Sequence, residues 1–126
     1  MKDIVMVMDT AVGRPTAILG GLAERGIAMV AGCFFPRLEG RVAHVTVDDA
    51  DVEAVREVAT EKGALVLDVR DVLVLDQSTH GDPLSIARRI TQAGAVVQVS
   101  YFGAKGEVVV ATTDIARARE ALGLAS

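Results

Sequence analysis

An internal repeat organises this sequence, because a stretch near its start recurs without a gap 68 residues later. The first copy runs from Gly13 to Phe35 and the second from Gly81 to Gly103. Paired positions are identical at Gly13/Gly81, Pro15/Pro83, Ile18/Ile86, Gly26/Gly94 and Phe34/Phe102. Each copy thus has a Gly-x-Pro turn, a helical spacing of apolar residues, a glycine where the helix ends and an apolar strand. A repeat of this kind predicts two copies of one supersecondary unit.

Local patterns around the first copy extend it to a strand, a helix, two strands and a second helix. The predicted strands cover 2–9, 27–35 and 41–47, with a hairpin connection at 36–40, and the predicted helices cover 15–25 and 50–62. The following run, Ala64 to Leu75, is longer than an ordinary strand. We therefore divide it into the fourth strand of the first unit and, from Val72, the first strand of the second.

The second copy repeats this order. It is predicted to contain a loop at 76–82, helices at 83–93 and 114–122, and strands at 95–102 and 107–112. No segment before Ser126 then corresponds to a fourth strand, so the second unit is expected to lack its last strand. The alternative, in which the long run before it serves both units, stays open at this point.

The predicted fold class is α+β, with a ferredoxin-like βαββαβ unit repeated twice and the helices on one face of each antiparallel sheet. The predicted domain boundaries are 1–71 and 72–126. Units this small have little core of their own, so we expect them to pair, and their open sheet edges favour a homodimer.

Composition excludes several classes of function. Hydrophobic residues make up 51% of the chain and aromatic residues 3%, which predicts an aliphatic core. The net charge of −4 argues against partners such as nucleic acid or an anionic membrane surface. The single Cys33 excludes an intrachain disulfide and fits the cytoplasm, and no apolar run approaches the length of a membrane span. The spacings of Cys33, His44 and His80 give no metal signature, and no cofactor is predicted.

The two copies resemble the ACT domain, a small ferredoxin-like module of regulators of amino-acid metabolism. The family motif runs approximately Asp-x-Pro-Gly-x-Leu, a helix, and then Leu-x-x-x-Gly-Ile-Asn-Ile. Segments 9–29 and 76–97 match it, and together they place the motif in both halves of the chain. The resemblance implies tandem ACT units with no catalytic domain attached. It also implies a small effector, commonly an amino acid, bound at the seam between paired units.

The sequence departs from the family motif in two ways. The Pro-Gly order becomes Gly-Arg-Pro at 13–15 and Gly-Asp-Pro at 81–83. The Asn that follows the helix-ending glycine is replaced by Ala28 and Val96, which removes a side chain able to donate and accept hydrogen bonds. Backbone donors at the helix start remain, and they can still hold a carboxylate. The apolar replacements hint at a hydrophobic amino acid.

Candidate ligand-binding residues follow from this motif. They are Asp9, Ala11, Val12, Gly13, Arg14, Ala28 and Met29 in the first copy, and Asp76, His80, Gly81, Asp82 and Val96 in the second. Residues 12–14 would hold the carboxylate of an amino acid, Asp9 or Asp76 would meet its amine, and His80 would be a pH-sensitive contact. The alternative is a tight turn and helix cap with Arg14 solvated. Because Arg14 corresponds to Asp82, we expect either two unequal sites or one site and one vestige.

Three hypotheses of function follow. The first is a non-catalytic regulatory protein that senses an amino acid or similar metabolite. The second is a ligand-free interaction module that docks on a metabolic enzyme or transporter. The third is a small enzyme, since ferredoxin-like sheets host many activities. It ranks last because no convergent pair of titratable residues is evident, and Cys33 and His44 are interpreted as packed residues of strands.

Overall fold

The computed structural model describes residues 1–124. The chain forms two compact units, 1–70 and 71–126. Unit 1 contains β1 (Lys2–Met8), α1 (Arg14–Glu24), β2 (Ala31–Arg37), β3 (Gly40–Val47), a single 3-10 turn (Asp49–Asp51), α2 (Val52–Glu61) and β4 (Ala64–Asp71). The strand order is β2-β3-β1-β4, and β3 pairs antiparallel with both β1 and β2. This is the βαββαβ arrangement predicted from the sequence.

The core of unit 1 lies between one face of this sheet and the two helices. Alternate residues of β1, Ile4, Met6 and Met8, are buried on that face. They pack in one cluster with Ile18 and Leu22 of α1 and with Val55, Val58 and Ala59 of α2. The alternation of β1 and the helical spacing of α1 therefore meet in a single aliphatic core, as the composition predicted.

Close contact of α1 and α2 depends on Gly21. A Cβ added there would lie 2.7 Å from Cγ1 of Val58, a residue that is 1% exposed. The neighbouring Gly20 has open space where its Cβ would stand. The two adjacent glycines therefore have different roles, and Gly21 alone is required by packing.

Two boundaries in unit 1 differ from the prediction. The second strand begins at Ala31 rather than Ile27, and it continues through Pro36 to Arg37. Arg37 pairs with Gly40, so the hairpin turn is Leu38–Glu39 and not the five residues 36–40. Proline is tolerated because β2 is an edge strand, where the missing N–H group falls on the solvent side.

Unit 2 contains β5 (Leu73–Leu75), α3 (Gln77–His80), α4 (Pro83–Gln92), β6 (Val97–Phe102), β7 (Val108–Thr112) and α5 (Ile115–Ala121). Its sheet has the order β5-β7-β6, with both pairs antiparallel. The core includes Leu73, Leu75, Ile86, Ile90, Val108, Val110, Ala118 and Leu122. Within residues 71–124 no fourth strand joins this sheet, which agrees with the expected three-stranded second unit. The long run is divided as predicted, since β4 and β5 belong to different sheets.

Two features of unit 2 correct the sequence interpretation. The predicted loop 76–82 contains the short helix α3, because Oδ1 of Asp76 accepts a hydrogen bond from the Ser78 amide at 2.9 Å and caps it. The following strand begins at Val97 rather than Ala95. The two glycines that the repeat predicts at helix ends do follow helices, and both have positive φ, 67° at Gly26 and 88° at Gly94.

Candidate functional site

The loop between β1 and α1, residues 9–13, is the first candidate site. Gly13 is the residue before the helix and has φ of 82°, a left-handed conformation that favours glycine. No side chain caps α1, and Pro15 lies in its first turn. Val12 is fully exposed. The loop therefore presents its backbone and an apolar side chain to solvent.

Asp9 and Arg14 form a two-point ion pair across this loop. Nε of Arg14 donates to Oδ1 of Asp9 at 3.1 Å, and Nη2 donates to Oδ2 at 3.1 Å. Oδ1 also accepts from the Ala11 amide at 3.1 Å. The hydrogen bond from Arg14, followed by that from Ala11, holds the pKa of Asp9 below its ordinary value. Arg14 is thus engaged by Asp9, while 29% of its side-chain surface remains exposed.

Two further contacts fix the loop to the rest of unit 1. Nη1 of Arg14 donates to the carbonyl of Lys62 at 3.0 Å, which ties the start of α1 to the end of α2. From β3, Arg41 donates to the carbonyls of Ala11 and Thr10 at 3.2 and 3.4 Å. The conformation of the loop is therefore set by two guanidinium groups.

The corresponding loop of unit 2 is built differently. Asp76 accepts from both the amide and the hydroxyl of Ser78, at 2.9 and 2.8 Å, and the hydroxyl contact is the main cause of its lowered pKa. Asp82 caps α4 by accepting from the Ser85 amide at 2.8 Å. The carboxylates at both ends of the loop are thus used in capping. The two loops are therefore held by different hydrogen bonds.

The remaining candidates of each unit lie away from these loops. Ala28 and Met29 precede β2, and the next residue, Val30, donates to the carbonyl of Thr46 at 2.9 Å. Thr46 pairs with Asp3, near the start of β1, whereas the loop follows the end of that strand. Val96 likewise precedes β6. Within one unit, the candidate residues that follow the first helix therefore lie at one end of the sheet. The candidate residues that precede this helix lie at the other end. The prediction that they share a ligand needs a second ACT-like unit.

An open cleft of about 880 Å³ lies at the end of the unit 1 sheet where β1 stops. We call it the hairpin cleft. Its lining residues are Val7, Met8, Asp9, Arg37, Leu38, Glu39, Gly40, Arg41, Gly63, Ala64 and Leu65. Sequence reasoning identified only Asp9 among them. The other lining residues come from three separate segments of the chain. The one signal that could have identified the hairpin residues is the pairing of Arg37 with Gly40 across a two-residue turn.

A buried polar cluster occupies the sheet face opposite the helices of unit 1. Oδ2 of Asp3 lies 2.9 Å from Nδ1 of His44 and accepts a hydrogen bond from Nε of Arg70 at 3.4 Å. The His44 ring stacks on Phe35, with centroids 5.9 Å apart. His44 is 6% exposed, which agrees with its interpretation as a packed residue of a strand. The burial of Asp3 was not anticipated, because nothing local marks an aspartate in an apolar strand as buried.

Cys33 lies opposite His44 in the strand register. Burial raises the pKa of the Cys33 thiol, and the negative charge of Asp3 adds to the effect. Such a thiol is a poor nucleophile. The described part of the chain contains no group of three or more His, Cys, Asp or Glu placed to hold a metal ion. Among these same residues no helix combines the length and apolar character needed to cross a membrane.

Comparisons with known proteins bear on the fold. No family model matches the sequence, and no curated protein matches it. Among solved structures, protein BT0572 from Bacteroides thetaiotaomicron is 18% identical with a TM-score of 0.76, covering 97% of this chain and 85% of that one. The ligand-free regulatory subunit of aspartate kinase from Thermus thermophilus is 21% identical with a TM-score of 0.68, covering 97% and 87%.

A third structure, the regulatory subunit of aspartate kinase from Thermus flavus, is 19% identical with a TM-score of 0.61, covering 97% of this chain and 88% of that one. At these identities the similarity shows the fold. It extends over both units, since almost the whole chain is covered in each case. The α+β fold predicted for the two halves of the chain is thereby supported by solved structures as well as by the repeat.

Proposed function

We propose that this protein is a non-catalytic regulatory module, built from two ACT units, that binds an amino acid or a similar small metabolite. The observation that carries the proposal is the fold shared with a regulatory subunit of aspartate kinase over 97% of this chain and 87% of that one. The repeated motif, which the sequence shows independently of the fold, supports the same conclusion. The proposed setting is the cytoplasm and the proposed assembly is a homodimer.

The proposed effector site is the loop 9–13 with Arg14. An amino acid carries one ammonium and one carboxylate, and the Asp9–Arg14 pair offers the opposite charge to each. The effector would insert between them, with its ammonium on Asp9 and its carboxylate on Arg14 and the amides near Val12 and Gly13. The pKa of Asp9 is lowered because Arg14 already donates to its carboxylate, so the ammonium of an effector would replace a cation that is present. The capped loop of unit 2 offers no such exchangeable pair.

An effector acts on this module only through its different affinity for two states. The contacts that hold the loop give it such states. Arg14 bridges Asp9 and the carbonyl of Lys62, so releasing Asp9 also frees the loop from the end of α2. We propose that effector binding alters the loop in this way and that a partner enzyme responds to the change.

A second candidate function, a ligand-free interaction module, is favoured by one observation. Leu65 and Leu67, on the edge strand β4, are 63% and 52% exposed. Exposed leucines on an open sheet edge suit docking against another protein. On this hypothesis, the replacement of the motif asparagine by the apolar Ala28 and Val96 means that effector binding has been lost. The partner is then a metabolic enzyme or a transporter.

A thermal-shift screen of the twenty amino acids separates the two candidates. A ligand that binds the native state raises the melting temperature by mass action. The test variant is Gly13→Val, which forces a branched side chain into a left-handed backbone in the candidate loop. The matched control is Gly106→Val in unit 2, because Gly106 has a similar φ of 79° and, like Gly13, open space around its Cβ.

The proposal predicts a saturable shift for one class of amino acid, lost in Gly13→Val and kept in Gly106→Val. A flat screen at millimolar ligand would contradict the sensor hypothesis and leave the interaction module. In that case substitution of Leu65 and Leu67 by serine should abolish capture of a partner, and unchanged capture would count against the second candidate as well.

A further inference from the structure

The hairpin cleft has the size and the mixed lining of a small-molecule site. Its volume of about 880 Å³ lies in the range of about 300–1,000 Å³ that such sites occupy. It is bounded by the end of β1, the Leu38–Glu39 turn and the start of β4. It is separate from the loop 9–13 except that Asp9 lines both. No role is assigned to it by the proposed function.

The charges in the hairpin cleft are not all neutralised within the chain. Asp9 is paired with Arg14, and both terminal nitrogens of Arg41 already donate to carbonyls. The side chains of Arg37 and Glu39, by contrast, form no hydrogen bond or ion pair with any residue in the described part of the chain. With Asp9 and Arg14 counted as a neutral pair, Arg37 and Arg41 outweigh Glu39 by one positive charge. The cleft therefore favours an anion, and Arg37 is the guanidinium with free donors.

Apolar surface stands beside this free guanidinium. Leu65 is 63% exposed and Leu38 is fully exposed, while the half-buried Val7 lies on the same wall of the cleft. Covering such side chains with an aliphatic group is favourable, at about 25 cal/mol for each Å² removed from water. A ligand that matches the cleft thus combines one anionic group with an aliphatic body.

We propose that the hairpin cleft is a second binding site, specific for a small aliphatic carboxylate. The carboxylate binds the fork of Arg37, a geometry that guanidinium groups favour for two parallel hydrogen bonds. The aliphatic body covers Leu65 and Val7. Glu39 lies on the turn at the rim, where it accepts from an ammonium group when the ligand carries one.

This site is connected to the loop 9–13 through Arg41. Arg41 is one of the residues that line the cleft, and its guanidinium donates to the carbonyls of Thr10 and Ala11. An anion in the cleft competes for that guanidinium and loosens its hold on the loop. Occupancy of the hairpin cleft is therefore expected to alter the amide signals of residues 10 and 11 as well as those of the lining.

Amide NMR titrations of the full chain test the proposal with two probes. One is L-leucine and the other is isocaproate, which has the same carbon skeleton without the amino group. The test variants are Arg37→Gln and Leu65→Ser. Their matched controls in unit 2 are Arg88→Gln, another exposed arginine without a partner in the described residues, and Leu84→Ser, whose leucine is 58% exposed against 63% for Leu65.

The expected result is saturable perturbation of residues 37–41 and 63–65 by at least one probe. Arg37→Gln weakens binding about tenfold, since it removes charge-assisted hydrogen bonds. Leu65→Ser weakens it several-fold, and both unit 2 controls leave it unchanged. Binding of both probes identifies a carboxylate site. Binding of leucine alone, weakened in Glu39→Gln, identifies an amino-acid site of the same cleft.

Two results overturn the proposal. One is the absence of saturable perturbation in the lining with either probe. The other is binding that persists in Arg37→Gln but is lost in Gly13→Val, which assigns the ligand to the loop 9–13. Conversely, binding lost in Arg37→Gln and kept in Gly13→Val supports the hairpin cleft even where the effector site proposed for that loop fails.

Discussion

Asp9 and Arg14, five residues apart, meet through both carboxylate oxygens and two guanidinium nitrogens, at 3.1 Å each. The pair closes the turn between β1 and α1, in place of the side-chain cap that α1 lacks. It has consequences for stability, for pH dependence and for ligand binding, and each can be measured.

The first prediction concerns the pH dependence of stability. The pKa of Asp9 is lower in the folded state than its unfolded value of about 3.9, so the carboxylate stabilises the fold above that pH. This contribution is lost as the pH falls through the folded pKa. Asp9→Asn should therefore lower the free energy of unfolding at neutral pH and make no difference at pH values well below 3. Urea denaturation across this range measures it.

Glu39→Gln is the control for this measurement, because Glu39 is an exposed carboxylate without a partner among the described residues. It should change the free energy of unfolding little at neutral pH. If Asp9→Asn and Glu39→Gln both gave the same dependence of stability on pH as the unmodified protein, the ion pair would not contribute to the free energy of unfolding.

The second prediction compares two adjacent glycines of α1. Gly21→Ala should destabilise unit 1 by about 1–3 kcal/mol, because its Cβ would lie 2.7 Å from the stiff, buried side chain of Val58. Gly20→Ala should stabilise the same helix by about 0.5–1 kcal/mol, since its Cβ meets open space and glycine is a poor helix residue. Urea unfolding of both variants decides the matter, and equal effects of the same sign would refute the packing explanation.

The third prediction concerns the polar cluster under the sheet of unit 1. Asp3→Ala removes the buried acceptor of His44 and Arg70, and it should cost about 3 kcal/mol or more in the free energy of unfolding. Asp49→Ala removes a surface contact of 2.9 Å with the N-terminal amine and should change stability little. A small effect of Asp3→Ala would mean that the cluster is easily replaced by water.

The fourth prediction concerns the thiol of Cys33. Because burial raises its pKa, little thiolate is present near pH 8, and reaction with a disulfide reagent should be slower than for the unfolded chain. The rate should continue to rise at pH values where that of the unfolded thiol has levelled off. Stopped-flow absorbance over a pH series measures both rates, and coincident profiles would show that the strand environment leaves the thiol unperturbed.

Local signals in the sequence account for most of the fold. A left-handed glycine that directly follows a helical spacing of apolar residues, such as Gly26, marks the end of that helix, and the repeat identified such a glycine twice. Pro36 misled the prediction because a proline in an edge strand and a proline in a turn have the same neighbours in sequence. Only the strand order, which places β2 at an edge, distinguishes them.

The candidate sites were less predictable because they depend on contacts between distant residues. The motif drew attention to the loop 9–13, but the engagement of Arg14 with both Asp9 and the Lys62 carbonyl depends on where α2 ends. Asp3 and Arg70 are 67 positions apart, and no local pattern relates them. The hairpin cleft, similarly, is lined by the ends of four strands, whose proximity follows from the topology of the sheet.

The position of Pro36 limits how the sheet of unit 1 can grow. A proline on β2 withholds a backbone donor from any strand that might add along that edge, while β4, at the other edge, contains no proline. A sheet with one obstructed edge can add a strand from another copy only at its other edge. Strand addition between copies would therefore stop at a closed pair instead of propagating into a fibre.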